Sequence, residues 1–392
     1  MFMGIVLSIY ILINTYLFAR IFVTLSGFGL LRAVVCVIFA AFALSFPAAG
    51  IFRTSLPWLS DTLTVMGYLH IAPMIYGFIL TLAADIFRAL NSIIAITHNP
   101  PPFSPEVRLC SAAGIFAMSV IITLAGVWNA SAPTVIHHDI EWDSPDGAGG
   151  PPLRIAVISD VHLGLMTGPG YLRKLVALTN EQQPDIILIA GDIVDSGGFF
   201  ARKERMYESE SVMSSFESRL GTWAVLGNHD YYAGAAQVTE FLFRSNVTLL
   251  KDRAAVLGGE LILAGRDDLT VERYGGARKG IDEMIREAAA GSQVSGIPTV
   301  LMDHQPFFLE EAEKSGAALQ VSGHTHRGQL FPVNFIVASI YEKHYGLYRR
   351  GSTNYYISSG AGVWGPPVRT IGRPEIVILN LRHKAKEVSD DE

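Results

Sequence analysis

The stretch Asp185-Ile-Ile-Leu-Ile-Ala-Gly191-Asp192-Ile-Val-Asp195 decides the fold of the second part of this chain. Its apolar run has the length and the Ile and Leu content of a strand that is buried on both faces. Gly191 lets the backbone turn at the carboxyl end of the strand, where α/β sheets place ligand-binding residues. Asp192 is therefore predicted at a strand tip, where a carboxylate can bridge two metal ions. Because the motif alone also fits a helix cap, the interpretation depends on the other strand ends.

Four further β-like runs end in polar side chains that can bind metals. In chain order these side chains are Asp160-x-His162, Gly227-Asn228-His229-Asp230, His304, and Gly323-His324-x-His326. Alternation along an extended chain predicts that Asp160 and His162 lie on one face. Converging Asp, Asn and His side chains are what a divalent-metal site requires.

Together with Gly191-Asp192-x-x-Asp195, these blocks resemble the signature of the calcineurin-like metallophosphoesterase superfamily. The resemblance covers the chain from about Leu153 onward, and the tail Gly360-x-Gly362-x-Trp364 is similar to that of bacterial membrane-associated members. It implies an α/β fold in which two mixed β-sheets pack as a sandwich flanked by helices. It also implies a dinuclear metal centre at the strand tips.

The resemblance implies seven metal ligands: Asp160, His162 and His326 for one ion, Asn228, His304 and His324 for the other, and Asp192 as a bridge between the two. It further implies that His229 faces the substrate as the acid or oxyanion donor and that Asp230 orients it. Asp195 is expected to support the site rather than to bind a metal.

Nitrogen and oxygen donors without thiolate suit two Mn, Fe, Zn or Co ions. Such a pair attracts phosphate and lowers the pKa of a shared water, so that a bridging hydroxide is available near neutral pH. The imidazole of His229 is a reasonable proton donor to the leaving oxygen, because free imidazole titrates near neutrality. The sequence therefore predicts a hydrolase of phosphate esters or diphosphates.

Two departures from the wider superfamily bear on the substrate. Asp195 is followed by Ser196-Gly197 rather than by the Arg-Gly of protein phosphatases, which argues against a phosphoprotein substrate. Arg327 or Arg369 could instead hold a second phosphate or a head group, and a solvated arginine is the alternative for each. Trp364 could form one wall of the cleft or serve only in packing.

The first third of the chain is overwhelmingly apolar. Four runs approach the ~20 residues that cross a bilayer, at about Gly4 to Gly27, Leu31 to Ile51, Leu63 to Ala84 and Leu109 to Trp128. We therefore divide the chain into a transmembrane region at 1–130, a linker at 131–152 and the metallophosphoesterase domain at 153–392. The net charge of −6, without a basic stripe, predicts no nucleic-acid partner.

The arginines near the predicted spans indicate an orientation. The first and third connections carry Arg20, Arg32, Arg88 and Arg108, and the second carries Arg53. The positive-inside rule then places the first and third loops in the cytoplasm and both termini outside. The sequence thus predicts an integral membrane protein whose catalytic domain is extracytoplasmic. Its expected partners are the bilayer and a phosphorylated substrate, lipid-linked or envelope-linked.

Three other functions fit parts of the sequence. A UDP-2,3-diacylglucosamine diphosphatase would require a cytoplasmic active site. A non-catalytic binding module on the same fold would not need every expected ligand, and all of them are present. A transporter or sensor with an accessory esterase is the third, although the apolar third offers few charged residues for a translocation path.

Overall fold

The structure, a computed structural model, describes residues 2–94, 105–143, 152–290 and 296–384. The chain forms two compact units. The first, the helical unit, comprises Met1–Trp128 and Gly365–Thr370, and the second, the catalytic unit, comprises Asn129–Trp364 and Ile371–Glu392.

The helical unit contains four long helices. They are α1 (Phe2–Thr24), α2 (Gly29–Phe52), α3 (Pro57–Ile94) and α4 (Pro105–Ala130). Each is long and apolar enough to cross a membrane, which confirms the prediction of four long apolar helices. The 38 residues of α3 extend about 57 Å, against about 30 Å for the hydrocarbon core of a bilayer, so α3 continues well beyond the predicted span Leu63 to Ala84.

Polar side chains inside the helical unit are paired with one another. His70 on α3 lies with Nε2 2.8 Å from Asn14 Oδ1 on α1. Arg20 on α1 donates to the Asp85 carboxylate on α3 at 2.7 Å. An unpaired polar group is costly in an apolar surrounding, so each of these groups needs a partner. Because the partners lie on α1 and α3, the two pairs hold these helices together.

The catalytic unit is built on two six-stranded sheets. The first sheet has the order β1 (Thr134–Trp142), β12 (Glu375–His383), β2 (Leu153–Ile158), β3 (Ile186–Ala190), β4 (Thr222–Val225) and β5 (Val247–Leu249). The second sheet has the order β10 (Gly346–Arg350), β11 (Thr353–Ile357), β9 (Leu319–Ser322), β8 (Thr299–Met302), β7 (Leu261–Gly265) and β6 (Arg253–Leu257). Both sheets are mixed, as predicted, because each combines parallel and antiparallel pairs.

Seven α-helices accompany the two sheets in the described part of the catalytic unit. They are α5 (Pro169–Asn180), α6 (Gly198–Ala201), α7 (Lys203–Met213), α8 (Asn228–Arg244), α9 (Ile281–Ala289), α10 (Leu309–Lys314) and α11 (Val333–Ile340). Side chains of α5, α7 and α8 share a core with the first sheet, and side chains of α9 and α10 share one with the second sheet. A third core lies between the sheets. The unit is therefore a sandwich flanked by helices.

Strand β3 shows why the opening stretch is apolar throughout. Ile186 and Leu188 belong to the core between the sheets, whereas Ile187 and Ile189 belong to the core beneath the helices. Successive side chains of a strand point to opposite faces, and here both faces are buried. No position in β3 is left for a polar residue before the strand ends.

The predicted linker 131–152 was wrong over part of its length. Residues Thr134–Trp142 form β1, which pairs in parallel with β12 along nine residues. Ile140 and Trp142 are buried in the core between the sheets. The partner strand lies near the other end of the chain, so the sequence of β1 alone does not reveal the pairing. Most of the Gly/Pro-rich stretch, residues 144–151, lies outside the described residues.

The parallel strands bring the predicted site residues to one end of the sandwich. In the first sheet β2, β3 and β4 run parallel, and in the second sheet β8 and β9 do so. Their carboxyl ends precede Asp160, Asp192, Asn228, His304 and His324 respectively.

Candidate metal centre

Left-handed backbone conformations follow the strand tips. The residues concerned are Asp160 (φ 54°), His162 (φ 51°), Asp192 (φ 51°), His324 (φ 70°) and His326 (φ 48°). Non-glycine residues rarely adopt this region, and it persists where the surroundings enforce it, as at functional sites. The prediction that alternation along an extended strand brings Asp160 and His162 together was therefore wrong. Strand β2 ends at Ile158, and turns after it aim the two side chains.

Two glycines let the tips approach one another closely. Gly191 has a φ of 88°, and a Cβ there would lie 2.5 Å from Nδ1 of His304. A Cβ at Gly323 would overlap Ser159 and Asp160. The Gly-Asp and Gly-His motifs are thus required by packing between strand ends.

The first ligand group consists of Asp160, His162 and His326, whose donor atoms lie within 4.8 Å of one another. The Nε2 atoms of His162 and His326 are 2.9 Å apart. Nε2 of His326 lies 3.4 Å from Oδ1 of Asp160. All three residues are buried.

The second ligand group consists of Asp192, His304 and His324, also within 4.8 Å. Nδ1 of His304 donates to the carbonyl oxygen of Ala190 at 2.7 Å, so Nε2 is the nitrogen that can bind a metal ion when it gives up its proton. That Nε2 lies 3.2 Å from Oδ2 of Asp192. The same Oδ2 is 3.7 Å from Nε2 of His162, so Asp192 stands between the two groups.

The donor atoms fit divalent ions. Among the described residues, the buried atoms Asn228 Oδ1, His304 Nε2 and His324 Nδ1 have no hydrogen-bond partner of acceptable geometry. Two donors that each lie about 2.1 Å from one ion are about 3 to 3.4 Å apart. The closest donor distances within the groups, 2.9, 3.2 and 3.4 Å, have this spacing.

The surroundings of the second ligand group keep Asp192 ionised and His324 neutral, which are the forms that bind a metal. Burial would raise the pKa of Asp192, but the neighbouring His304 holds it well below its usual value, so Asp192 is a carboxylate. Burial, helped by the charge of His304, lowers the pKa of His324 to about 4, so this ring is neutral near pH 7. Burial lowers the pKa of His304, and the charge of Asp192 outweighs that effect and raises it well above its usual value.

Asp195 orients His229. Nδ1 of His229 donates to the backbone carbonyl oxygen of Asp195 at 3.0 Å. The carboxylate of Asp195 lies 3.5 Å from the same nitrogen and 3.4 Å from Nδ1 of His162. Nε2 of His229 is therefore the nitrogen left for a substrate.

The prediction that Asp230 orients His229 was wrong. The Asp230 carboxylate accepts backbone N–H groups of Gly227 at 2.8 Å, Ile193 at 3.0 Å and Val194 at 2.9 Å. These bonds join the loop after β3 to the start of α8. Burial and the charge of Asp192 raise the pKa of Asp230 to about 7, against the effect of these donors. Asp230 thus holds the backbone that presents His229.

Buried ion pairs and hydrogen bonds that the sequence did not reveal support the residues around His304. Asp303 accepts from Arg278 and lies 3.4 Å from Arg266. Nε2 of Gln305 donates to Asp268 at 2.9 Å. The motif Asp303-His304-Gln305 is thereby fixed on both sides of the ligand. The only sequence signal for this support is that polar residues stand on both sides of His304 at the end of an apolar run.

The pair Asp267-Asp268 supports the site through hydrogen bonds to its neighbours. Asp267 accepts a hydrogen bond from the Tyr231 hydroxyl at 2.6 Å. Asp268 caps the turn at Thr270 and bonds Gln305. Neither residue belongs to the ligand groups of the described chain.

Two aromatic side chains flank His229 and form what we call the rim. The ring centroid of Tyr232 lies 5.6 Å and that of Trp364 6.0 Å from the His229 ring. Both side chains are about half exposed, at 49% and 54%. The Gln329 side chain bonds the backbone N–H and C=O of Trp364, each at 3.0 Å, and so fixes the loop that carries it. Trp364 therefore forms one wall beside His229.

The two arginines considered for phosphate binding have different surroundings. Arg327 directly follows His326, and its guanidinium lies 4.3 Å from the ring centroid of Tyr345. Arg369 is fully buried and belongs to the helical unit, where its backbone N–H donates to Gly126 at 2.9 Å. Of the two, Arg327 is the one next to a ligand group.

Comparisons with known proteins show the family of this chain. The model of the calcineurin-like phosphoesterase family matches residues 153–328. An uncharacterised metallophosphoesterase of Campylobacter jejuni is 31% identical over 386 residues, which cover 98% of each chain. The chain belongs to the calcineurin-like metallophosphoesterase family. Members of the family are hydrolases of phosphoester bonds and generally use two divalent metals.

A relative named as a transmembrane protein and a solved structure are also similar to parts of this chain. A transmembrane protein with a metallophosphoesterase domain from Danio rerio is 32% identical over 279 residues, 68% of this chain and 61% of that protein. The structure of a 5'-nucleotidase precursor from Thermus thermophilus matches with a TM-score of 0.37 and 15% identity, over 59% of this chain and 55% of that one.

Proposed function

We propose that this metallophosphoesterase is a membrane-anchored phosphohydrolase that uses two divalent metal ions at the strand tips to hydrolyse a phosphate ester or diphosphate. The observation that carries the proposal is the pair of three-residue ligand groups with the Asp192 carboxylate between them. A carboxylate in that position is suited to two ions rather than one.

The ligand assignment follows the two groups. Asp160, His162 and His326 would hold one ion, Asn228, His304 and His324 would hold the other, and Asp192 would contribute to both. When bound, the ions lower the pKa of a shared water and offset the charge on the phosphoryl oxygens.

The remaining site residues position the substrate and handle the proton. Nδ1 of His229 donates to the Asp195 carbonyl oxygen. When Nε2 also carries a proton, it gives that proton to the leaving oxygen and the ring becomes neutral. Asp230 holds the loop on which His229 is presented. Tyr232 and Trp364 each pack edge-on against that imidazole and limit the entry of water beside the leaving group.

The anchoring points to the class of substrate. Four apolar helices keep every copy of the enzyme at a bilayer, which favours a lipid-linked or envelope-linked phosphate. The arginine distribution supports an extracytoplasmic catalytic domain. A reporter fused after Glu392 tests this orientation, and a cytoplasmic result would favour a UDP-2,3-diacylglucosamine diphosphatase instead.

The catalytic proposal is tested with the full chain purified in detergent. We expect it to hydrolyse a chromogenic phosphate monoester or diester with Mn²⁺, to lose activity with a chelator and to regain it on adding metal. Asp192→Asn should lower kcat/KM by at least about 10³-fold, because it removes the negative charge between the ions. Asp282→Asn, the same change at an exposed position of α9, is the matched control. Turnover that survives both the chelator and Asp192→Asn would disprove the dinuclear mechanism.

A further inference from the structure

Five of the eight residues of helix α11 (Val333–Ile340) are exposed, and the other three are half-buried. It has no buried residue, and Phe335, Ile336 and Ile340 are 64%, 62% and 56% exposed. Its sequence Val-Asn-Phe-Ile-Val-Ala-Ser-Ile contains no charged side chain. Each of the other α-helices described in the catalytic unit buries at least one side chain. Large apolar side chains exposed together on one helix are typical of an interaction site.

The segment that carries α11 is tied to the metal centre at both ends. At its start Gly328 approaches the backbone of Asn334 so closely that a Cβ at Gly328 would overlap it. At its end the hydroxyl of Thr325 donates to the carbonyl oxygen of His344 at 2.6 Å. The chain therefore leaves the site after His326 and returns beside Thr325, which lies between His324 and His326.

Tyr341 attaches the end of α11 to the second ligand group. Its ring lies 6.1 Å from the ring of His324 and 4.8 Å from that of Phe307. Burial raises the pKa of Tyr341 to about 12, so its hydroxyl stays neutral. Because α11 is only about 12 Å long, whatever surface it contacts lies close to the metal centre.

The chemistry of α11 fits a lipid surface. The chain itself supplies a bilayer partner, since four of its helices are long and apolar enough to cross one. Interfacial helices present Phe, Ile and Leu side chains to the acyl region and basic side chains to the head groups. Here the basic residues Arg327 and Lys343 flank α11, and Glu342 is the only charged residue between them.

We propose that α11 lies in the boundary between head groups and acyl chains, with Phe335, Ile336 and Ile340 inserted, and holds the metal centre at the membrane surface. The consequence of this insertion is access to phosphates at the bilayer surface, and that consequence rests on the proposed phosphohydrolase function. The insertion itself can be measured without any turnover.

The experiment uses the full chain in liposomes with both native cysteines replaced, as Cys36→Ser and Cys110→Ser. Phe335→Cys is labelled with an environment-sensitive fluorophore, and lipids carrying nitroxides near the head group serve as quenchers. Phe243→Cys, at a position of α8 that is 77% exposed, is the matched control. We expect at least about twofold stronger quenching at position 335 than at position 243. Ile340→Cys repeats the measurement, and thermal melts show whether each labelled chain is folded.

Equal quenching at positions 335 and 243 would overturn the inference. Energy transfer between labels at position 335 on different copies, without lipid quenching, would also overturn it and would assign α11 to a contact between copies. Quenching at position 335 in a chain that hydrolyses no phosphate ester would retain the membrane contact and reject the proposed function.

The consequence for substrates is tested with Phe335→Ser combined with Ile336→Ser. We expect hydrolysis of a phosphate carried by a lipid in vesicles to fall about tenfold, because insertion is weakened. Hydrolysis of a soluble chromogenic phosphate should be unchanged. Equal losses on both substrates would show that α11 serves only to hold the site together.

Discussion

The ligand groups and the rim of this site are built differently. The ligands lie at the tips of buried strands, and Asp160 and His304 are fully enclosed. The rim residues Tyr232 and Trp364 lie on a helix and a loop and are about half exposed. Strand tips within a packed sandwich hold donor atoms at fixed spacing, whereas exposed side chains can vary without disturbing the core. We therefore expect the chemistry to depend on the buried part and the choice of substrate on the exposed part.

The largest effect is expected from His304→Ala in the buried part. The change removes a donor of the second ligand group, so kcat/KM should fall by about 10³-fold or more and one of two bound ions should be lost. Metal analysis and steady-state kinetics measure both. His137→Ala, at an exposed position of β1, is the control. If His304→Ala still bound two ions and turned over at the normal rate, the buried ligand groups would be no more important for catalysis than the rim.

His229→Ala should have the next largest effect and should leave both ions bound. Loss of the proton donor is expected to lower kcat by about 10²- to 10³-fold for an alkyl phosphate. The loss should be much smaller for a nitrophenyl phosphate, because nitrophenolate leaves without a proton. A series of leaving groups of different acidity tests this. A loss that does not depend on the leaving group would contradict the role of His229.

Asp195→Asn should have an intermediate effect, because Asp195 contacts both His229 and the ligand His162. Its carbonyl oxygen still orients His229, but the negative charge beside His162 is lost. We expect metal affinity to weaken by about 10- to 100-fold. Thermal melts at increasing metal concentration report this as a smaller rise in Tm. An unchanged metal dependence would show that the carboxylate has no part in binding.

Trp364→Ala should have the smallest effect. The side chain is half exposed and contacts the His229 ring edge-on, so we expect less than about a tenfold change in kcat/KM for a soluble ester, mostly through KM. Kinetics with a small and a bulky leaving group measure it. A loss as large as that of His229→Ala would place Trp364 in the chemistry rather than at the rim.

The candidate site could be located from the sequence because each block follows an apolar run. Asp192 follows β3 and His304 follows β8, and strand tips are recognisable when the strands are continuously apolar. How the residues converge was not predictable. Asp160 and His162 meet through left-handed turns, and those conformations depend on neighbouring strands packed against Gly191 and Gly323.

The residue that orients His229 was also not predictable from the sequence. Asp230 is adjacent in sequence, yet its carboxylate faces backbone N–H groups, and Asp195 from another loop orients the ring. Adjacent side chains at the start of a helix point in different directions, so sequence neighbours are poor guides to contacts there.

By itself the sequence determined the four apolar helices, the order of buried strands and the types of donor atom, because these follow from hydrophobic runs and from residue chemistry. Only the tertiary structure decided that Thr134–Trp142 joins the first sheet, since its partner β12 lies near the far end of the chain. It also decided that α11 remains uncovered. The sequence of an apolar helix is the same whether the helix is buried in a core or exposed at the surface, and only the packing distinguishes the two cases.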